Sequence, residues 1–287
     1  MQNYRCSDCN RQFLGGNRID NAVLWHEYTV GKQTYSQLAK ANGVSAKTIQ
    51  RRIDKVEVKV QRRNFKSAII LMDTTYFGRN FGVMVFKNSE GQTLYWRYVK
   101  YETVAGYLEG IAYLEGNGLD IKAIVCDGRK GLFQALKGYL VQMCQFHQVA
   151  IVTRYITRKP RIQASIELKE ISHLLPRTDK ESFIGALTEW HLKWKDFMNE
   201  RATNPTTGKS RYVHKRLRSA YKSMERNKDF LFTWYDHITL GIPNTNNLLE
   251  GSFTDLKNKL RNHNGLNRKR KEKFIDGFFK GINSYSN

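Results

Sequence analysis

Two short apolar runs in this chain each close on an acid: residues 67–73 end in Asp73 and residues 121–127 end in Asp127. A buried strand avoids a terminal acid unless the acid faces a polar site or begins a turn. For either acid alone, a turn former explains it as well as chemistry does. The pair is another matter. Two carboxylates close together repel and share a proton, and a divalent cation removes that conflict. Hard oxygen donors suit Mg2+ or Mn2+. A third carboxylate completes such a site, and Glu250, at the start of a late helical stretch, is the leading candidate. Two metals about 3.5–4 Å apart clamp the attacking and leaving oxygens of an in-line displacement at phosphate. Asp73, Asp127 and Glu250 are therefore the candidate catalytic and metal-binding residues.

Two further constellations have ligand-like spacing. Cys6 and Cys9 form a C-x-x-C flanked by Tyr4 and Phe13, the pattern of one knuckle of a zinc ribbon. A closed structural Zn2+ site needs four ligands, and Met1 leaves no room for an upstream knuckle, so this reads as half a site. Cys144 and His147 form a C-x-x-H. Three roles stay open for it: buried packing with a hydrogen bond below the acids, contact of His147 with nucleic acid, or zinc binding.

The elements that must position these residues can be read from period and punctuation. Residues 67–73, 81–86 and 93–99 are strand-like, with a turn at 88–91. Residues 103–117 have helical spacing and stop at Gly116 and Gly118. A fourth strand covers 121–127, a short helix 131–140, and a fifth strand begins at 141. In the order β-β-β-α-β-α-β the first and fourth strands lie side by side and parallel, which brings Asp73 to Asp127. Residues 151–240 carry Leu, Ile, Phe and Trp at three- and four-residue spacing and no strand run, so an all-helical insertion is expected there. Within it Trp190 and Trp194 read as core. After Glu250, Phe253, Leu256 and Leu260 continue at helical spacing.

Nearer the amino end, residues 35–53 have a helix-turn-helix pattern. Ala39 is small where two helices cross, Gly43 supports the turn, Val44 packs beneath it and Ser45 caps the next helix. Ile49 and Ile53 face inward. Lys47, Thr48, Gln50, Arg51 and Arg52 are left outward on a helix suited to a major groove. The expected organisation is a partial zinc-ribbon-like segment over 1–18, the helix-turn-helix over 19–56, and a basic linker over 57–66. One α/β domain then covers 67–287.

Charge names the class of partner. The 287 residues hold 48 Lys and Arg against 26 Asp and Glu, a net charge of +22. Such a surplus points to a polyanion, most often nucleic acid. Hydrophobic residues at 40% exclude full-length disorder. No apolar run is long enough for a membrane helix, the first residues lack a signal-peptide core, and four cysteines do not make a disulfide scaffold. The expected location is the cytoplasm, in association with the nucleoid.

In this order the motifs resemble a DDE transposase of the Mutator-like group of bacterial insertion sequences. They are the helix-turn-helix, Asp73-Thr74-Thr75, Asp127-Gly128, Cys144-Gln145-Phe146-His147, the helical insertion, and Asn246-Asn247-Leu248-Leu249-Glu250-Gly251. The resemblance spans nearly the whole chain. Its most specific parts are the C-x-x-H and the N-x-x-E-G that uses Asn246 or Asn247. It implies a ribonuclease-H-like catalytic core with a helical insertion, Asp73, Asp127 and Glu250 as the metal triad, and Mg2+ or Mn2+ as cofactor. It also implies double-stranded DNA as partner, both terminal inverted repeats and target, and a homo-oligomer on DNA. The activity implied is cleavage that frees a 3′-hydroxyl, then direct strand transfer. Related chains begin with a complete ribbon, whereas this one begins in its second knuckle, which bears on Zn2+. Two other readings share most of these residues. One is a helix-turn-helix regulator without chemistry, indifferent to metal and to Asp73. The other is a non-transposing nuclease of the same fold, which would cut without joining.

Overall fold

The computed structural model describes residues 3–14, 19–57 and 65–284. Most of the basic linker expected over 57–66 lies outside the described residues. The chain forms two compact units, one of Arg63–Gly251 and one of Met1–Arg62 with Ser252–Asn287.

In the second of these, β1 (Asn3–Arg5) and β2 (Gln12–Leu14) form an antiparallel pair. Three short helices follow: α1 (Asn21–Thr29), α2 (Tyr35–Ala41) and α3 (Ala46–Lys55). Thr34 and Gln37 form a capping box at the start of α2, and the Ser45 hydroxyl accepts from Thr48 N at the start of α3. Gly43 makes the turn between them at φ +63°, a conformation that favours glycine. Leu38, Ala39, Ile49 and Ile53 are buried, Ile49 and Ile53 as their spacing predicts.

The larger unit is mixed α/β. Its strands are β3 (Ser67–Tyr76), β4 (Gly82–Asn88), β5 (Thr93–Val99), β6 (Asp120–Cys126) and β7 (Val141–Met143). They form one five-stranded sheet in the order β5-β4-β3-β6-β7. The first three run as an antiparallel meander, and β3, β6 and β7 are mutually parallel. Between β5 and β6 lies α4 (Val104–Gly116), capped by Thr103, and between β6 and β7 lies α5 (Leu132–Ala135). Both helices pack on one face of the sheet, where Ile70, Met72, Met84, Phe86, Tyr107, Ile111 and Ile124 form a core.

The insertion is built from α6 (Gln145–Ile156), α7 (Gln163–Leu174) and α8 (Lys180–Asn199), then a short hairpin and α9 (Lys215–Leu231), followed by α10 (Thr233–Asp236). Its core holds Leu168, Phe183, Leu187, Trp190, Leu217 and Met224. Trp190 donates to Ala164 O at 3.0 Å, and half-buried Trp194 donates to Glu167 Oε2 at 2.8 Å, so both serve the fold. The insertion is not all-helical: β8 (Arg201–Thr203) pairs with β9 (Ser210–Tyr212). These strands are polar and exposed, with the Arg201 and Arg218 guanidiniums each over the Tyr212 ring at 4.5 and 4.2 Å, so no apolar alternation betrays them. Buried amides tie α9 to β7 and to α6. Gln142 and Gln145 each donate to Leu231 O at 3.0 Å, and Gln148 joins Ser223 and Asn227. A buried amide left unpaired would cost about 1–3 kcal/mol, so this ladder fixes where α9 sits.

The last helices are α11 (Asn247–Arg261) and α12 (Arg268–Ser284). The sequence places 67–287 in one domain, yet Ser252–Asn287 belongs to the unit of the amino-terminal helices. No described helix is long and apolar enough to cross a membrane.

Candidate active site

Three parallel strands end at one edge of the sheet, the edge where open α/β sheets place ligands. The pairs of β3 with β6 run from Ser67↔Asp120 to Leu71↔Val125, and β6 meets β7 up to Cys126↔Met143. Carried two residues further, the β3–β6 register sets Asp73 level with Asp127, the first residue beyond β6. Asp127 does stand at a strand end. Asp73 does not: β3 continues to Tyr76 against β4, with Asp73 opposite Val85. What ends before Asp73 is its pairing with β6, and that opens the space beside it.

Asp73 is 8% exposed, and its Oδ1 accepts from Thr74 N at 2.7 Å. Burial pushes its carboxyl up to about 7, against the pull of His147 and the Thr74 hydrogen bond, and Glu250 and Asp127 add to the rise. Glu250 sits in the first turn of α11, its N–H bonded to Asn246 O at 3.0 Å. His147 sits in the first turn of α6. Its Nε2 lies 3.3 Å from Glu250 Oε1. One ligand atom each from Asp73, His147 and Glu250 lies within 4.8 Å of the others. Burial opposes a charged imidazole, but the Cys144 thiol, Glu250 and Asp73 beside His147 hold it protonated well above its ordinary value. Two carboxylates and one imidazole are a donor set that fits Mn2+ well and Mg2+ through its oxygens.

Asp127 is not among those three. Its Oδ1 accepts from Arg129 N at 3.2 Å, and its charge still acts on Asp73. The group brought together is thus Asp73, Glu250 and His147, with Asp127 beside it.

The C-x-x-H divides its labour. Cys144 is fully buried at the head of α6. Its N–H bonds to Cys126 O at 2.8 Å, and its Sγ accepts from Asn246 N at 3.2 Å. Asn246, also fully buried, donates through Nδ2 to Met72 O at 3.1 Å. Gln145 N bonds to Asn244 O at 3.0 Å. The segment ahead of α11 is thereby stitched to β3 and to α6, which sets Glu250 in place. Asn246 does the holding, while Asn247 is exposed.

A neighbouring network had no sequence signal beyond its closeness to Asp127. Arg129 pairs with Glu102 at 2.9 Å and also donates to Glu102 O. Tyr107 donates to Glu102 Oε1 at 2.8 Å and shares a 3.0 Å hydrogen bond with the Thr74 hydroxyl. Burial raises the Glu102 carboxyl above its usual range, with Tyr107 opposing. The network joins the residue after Asp73 to the loop after Asp127.

In the other unit, Lys47 and Arg51 are exposed on α3 and Gln50 is half-buried, with Lys47 donating to Gln50 at 3.1 Å. The Thr48 hydroxyl is engaged with Ser45 at 3.0 Å. Arg52 departs from the outward placement expected. It folds back to Ile19 O at 3.3 Å and Asn21 Oδ1 at 3.2 Å, so it braces α1. Cys6 and Cys9 lie at the turn after β1, both as free thiols. Among the described residues no third ligand joins them.

No protein-family model and no curated protein matches the chain. Among solved structures, similarity is found to the cryo-EM structure of the simian T-cell lymphotropic virus intasome in complex with PP2A regulatory subunit B56 gamma. It has a TM-score of 0.25 and 12% identity, and covers 67% of this chain and 70% of that one. A score so low carries no argument about fold or activity.

Proposed function

We propose that this chain is a transposase of an insertion sequence, which cleaves DNA at the ends of its element and transfers the freed strand. The observation that carries this reading is the grouping of Asp73, His147 and Glu250 within 4.8 Å, beside Asp127, at the edge where three parallel strands end. The net charge of +22 supports a polyanionic substrate. In this reading the sheet and its helices are a ribonuclease-H-like core, and α2–α3 a helix-turn-helix for the terminal repeats.

Asp73 and Glu250, with Asp127 beside them, would hold the divalent cations, and His147 would be the adjoining nitrogen donor. A divalent cation held there would supply Lewis-acid activation of a water or 3′-hydroxyl and charge stabilisation of the leaving oxyanion. Burial keeps the Asp73 carboxyl away from competing water, while Glu250 stays partly open to solvent. Before a cation arrives, His147 holds a proton at Nε2 against Glu250. Cys144 and Asn246 hold the approach of α11 so that Glu250 meets Asp73. No side-chain nucleophile is needed, so no covalent protein–DNA intermediate forms. Two element ends must be paired, so the DNA-bound form is a homo-oligomer.

The test uses duplexes cut from the flanks of the gene, incubated with the protein and Mg2+ or Mn2+. The reading expects nicks at the element boundary and joined products, both lost in Asp73→Asn. Cleavage without joining or end preference would indicate a plain nuclease. Binding without cleavage would indicate a regulator.

A further inference from the structure

The carboxyl-terminal residues clasp the end of α3. Arg270 reaches Asp54 with a fork: Nε to Oδ1 at 3.0 Å and Nη2 to Oδ2 at 2.7 Å. One turn on, Lys273 Nζ donates to Ile53 O and Asp54 O, both at 2.8 Å. These are carbonyls at the end of α3, which a cation satisfies in charge and in hydrogen bonding. Behind the clasp, Tyr28 stacks on Tyr35 at 4.9 Å and meets His263 at 4.3 Å and Phe274 at 5.6 Å. A Cβ on Gly277 would stand 2.3 Å from the Trp25 ring, so α12 approaches α1 as closely as only glycine permits.

Asp54 is the one acid on α3, whose exposed charges are otherwise Lys47, Arg51 and Lys55. On a surface meant for phosphate, an acid weakens attraction. Its fork to Arg270 gives it a different use. We propose that α12 is a positioning element for α3, so that the DNA-binding unit is assembled from both ends of the chain and Asp54 strengthens binding despite its charge. This rests on the reading that α3 binds duplex DNA.

The test measures binding of the full chain to a fluorescent duplex from the gene's flank, at two salt concentrations. Asp54→Asn is expected to weaken binding about two- to fivefold, the range of a partly exposed ion pair, with the salt dependence unchanged. Arg270→Gln does the same, and the double variant is no weaker than Arg270→Gln alone, because one interaction is lost once. Asp54→Glu keeps the carboxylate and restores binding to within about twofold, which separates loss of the clasp from loss of folding. Unchanged or tighter binding by Asp54→Asn overturns the proposal. A Lys47→Ala/Arg51→Ala variant reports on the underlying reading. If it binds like the wild type, α3 is not the DNA contact, and amide hydrogen exchange then decides the clasp. Faster exchange in the last turn of α3 in Asp54→Asn keeps the positioning role, and unchanged exchange overturns it.

Discussion

Asp73 and Lys47 both carry charge toward the proposed DNA, yet the chain treats them in opposite ways. Asp73 is 8% exposed, fixed by its strand, and surrounded by side chains from β3, α6 and α11. Lys47 stands exposed on one short helix and donates to Gln50 on the same helix. The difference follows from what each charge must do. Holding a cation against a reacting phosphate requires donors set to within a fraction of an ångström, so distant segments are locked together by buried bonds. Attracting a phosphate backbone requires only a mobile cation within a Debye length. Changes at the first site should therefore act all-or-none, and changes at the second by degrees.

The largest effect falls on the acids. Asp73→Asn, Asp127→Asn and Glu250→Gln should each lower metal-dependent cleavage by roughly a thousandfold, several kcal/mol of lost charge stabilisation. DNA affinity should stay within about twofold. Asp127 is the sharpest of the three, because it lies outside the group of Asp73, His147 and Glu250. Near-normal cleavage by Asp127→Asn would reduce the site to that group.

On α3 the response should be graded. Lys47→Ala and Arg51→Ala should each weaken binding and lower the salt slope by about one, without changing cleavage at saturating DNA. Loss of cleavage at saturation would blur the division drawn here. Arg52→Ala is its counterpart. Arg52 braces Ile19 and Asn21, so its loss should cost about 1 kcal/mol of stability in denaturant titration and leave affinity unchanged.

These contrasts also show what could be read from residue types. The sheet order was legible, because β-hairpins pair neighbours and the helical crossover returns a parallel strand beside the first. The parallel pairing of β3 with β6 sets Asp73 level with Asp127. His147 was visible as a motif but not as a member of the carboxylate group, since its position depends on where β7 ends and α6 begins. Asn246 could not be told from Asn247, because only the buried bonds to Met72 and Cys144 separate them. Arg52 shares its helix with true surface cations, and its inward turn depends on α1, some thirty residues away. The β8–β9 hairpin has no apolar period, and the clasp of α12 on α3 joins residues more than two hundred apart. Local pattern reports on faces and periods, and says little about long-range polar pairs.

A separate effect probes the interior of the sheet. Lys87 is buried on β4, donates to Gly91 O at 3.2 Å, and is pushed down to about 8 by desolvation. The unfolded chain therefore binds more protons than the folded one between about pH 8 and 10.5. This group's contribution to stability rises as pH climbs through that window and is lost as pH falls through about 8. Lys87→Met should flatten that rise by on the order of 1 kcal/mol per pH unit, read as the difference in denaturation midpoints between pH 8 and 10. A Lys87 that titrates normally would show no such difference.

The central claim, that Asp73, His147 and Glu250 form a divalent-cation site, is tested most directly by calorimetric titration of the DNA-free protein with Mn2+. The account predicts saturable binding by the wild type and its loss in both Asp73→Asn and Glu250→Gln, with each variant still folded by circular dichroism. Equal Mn2+ binding by the wild type and both variants would contradict it.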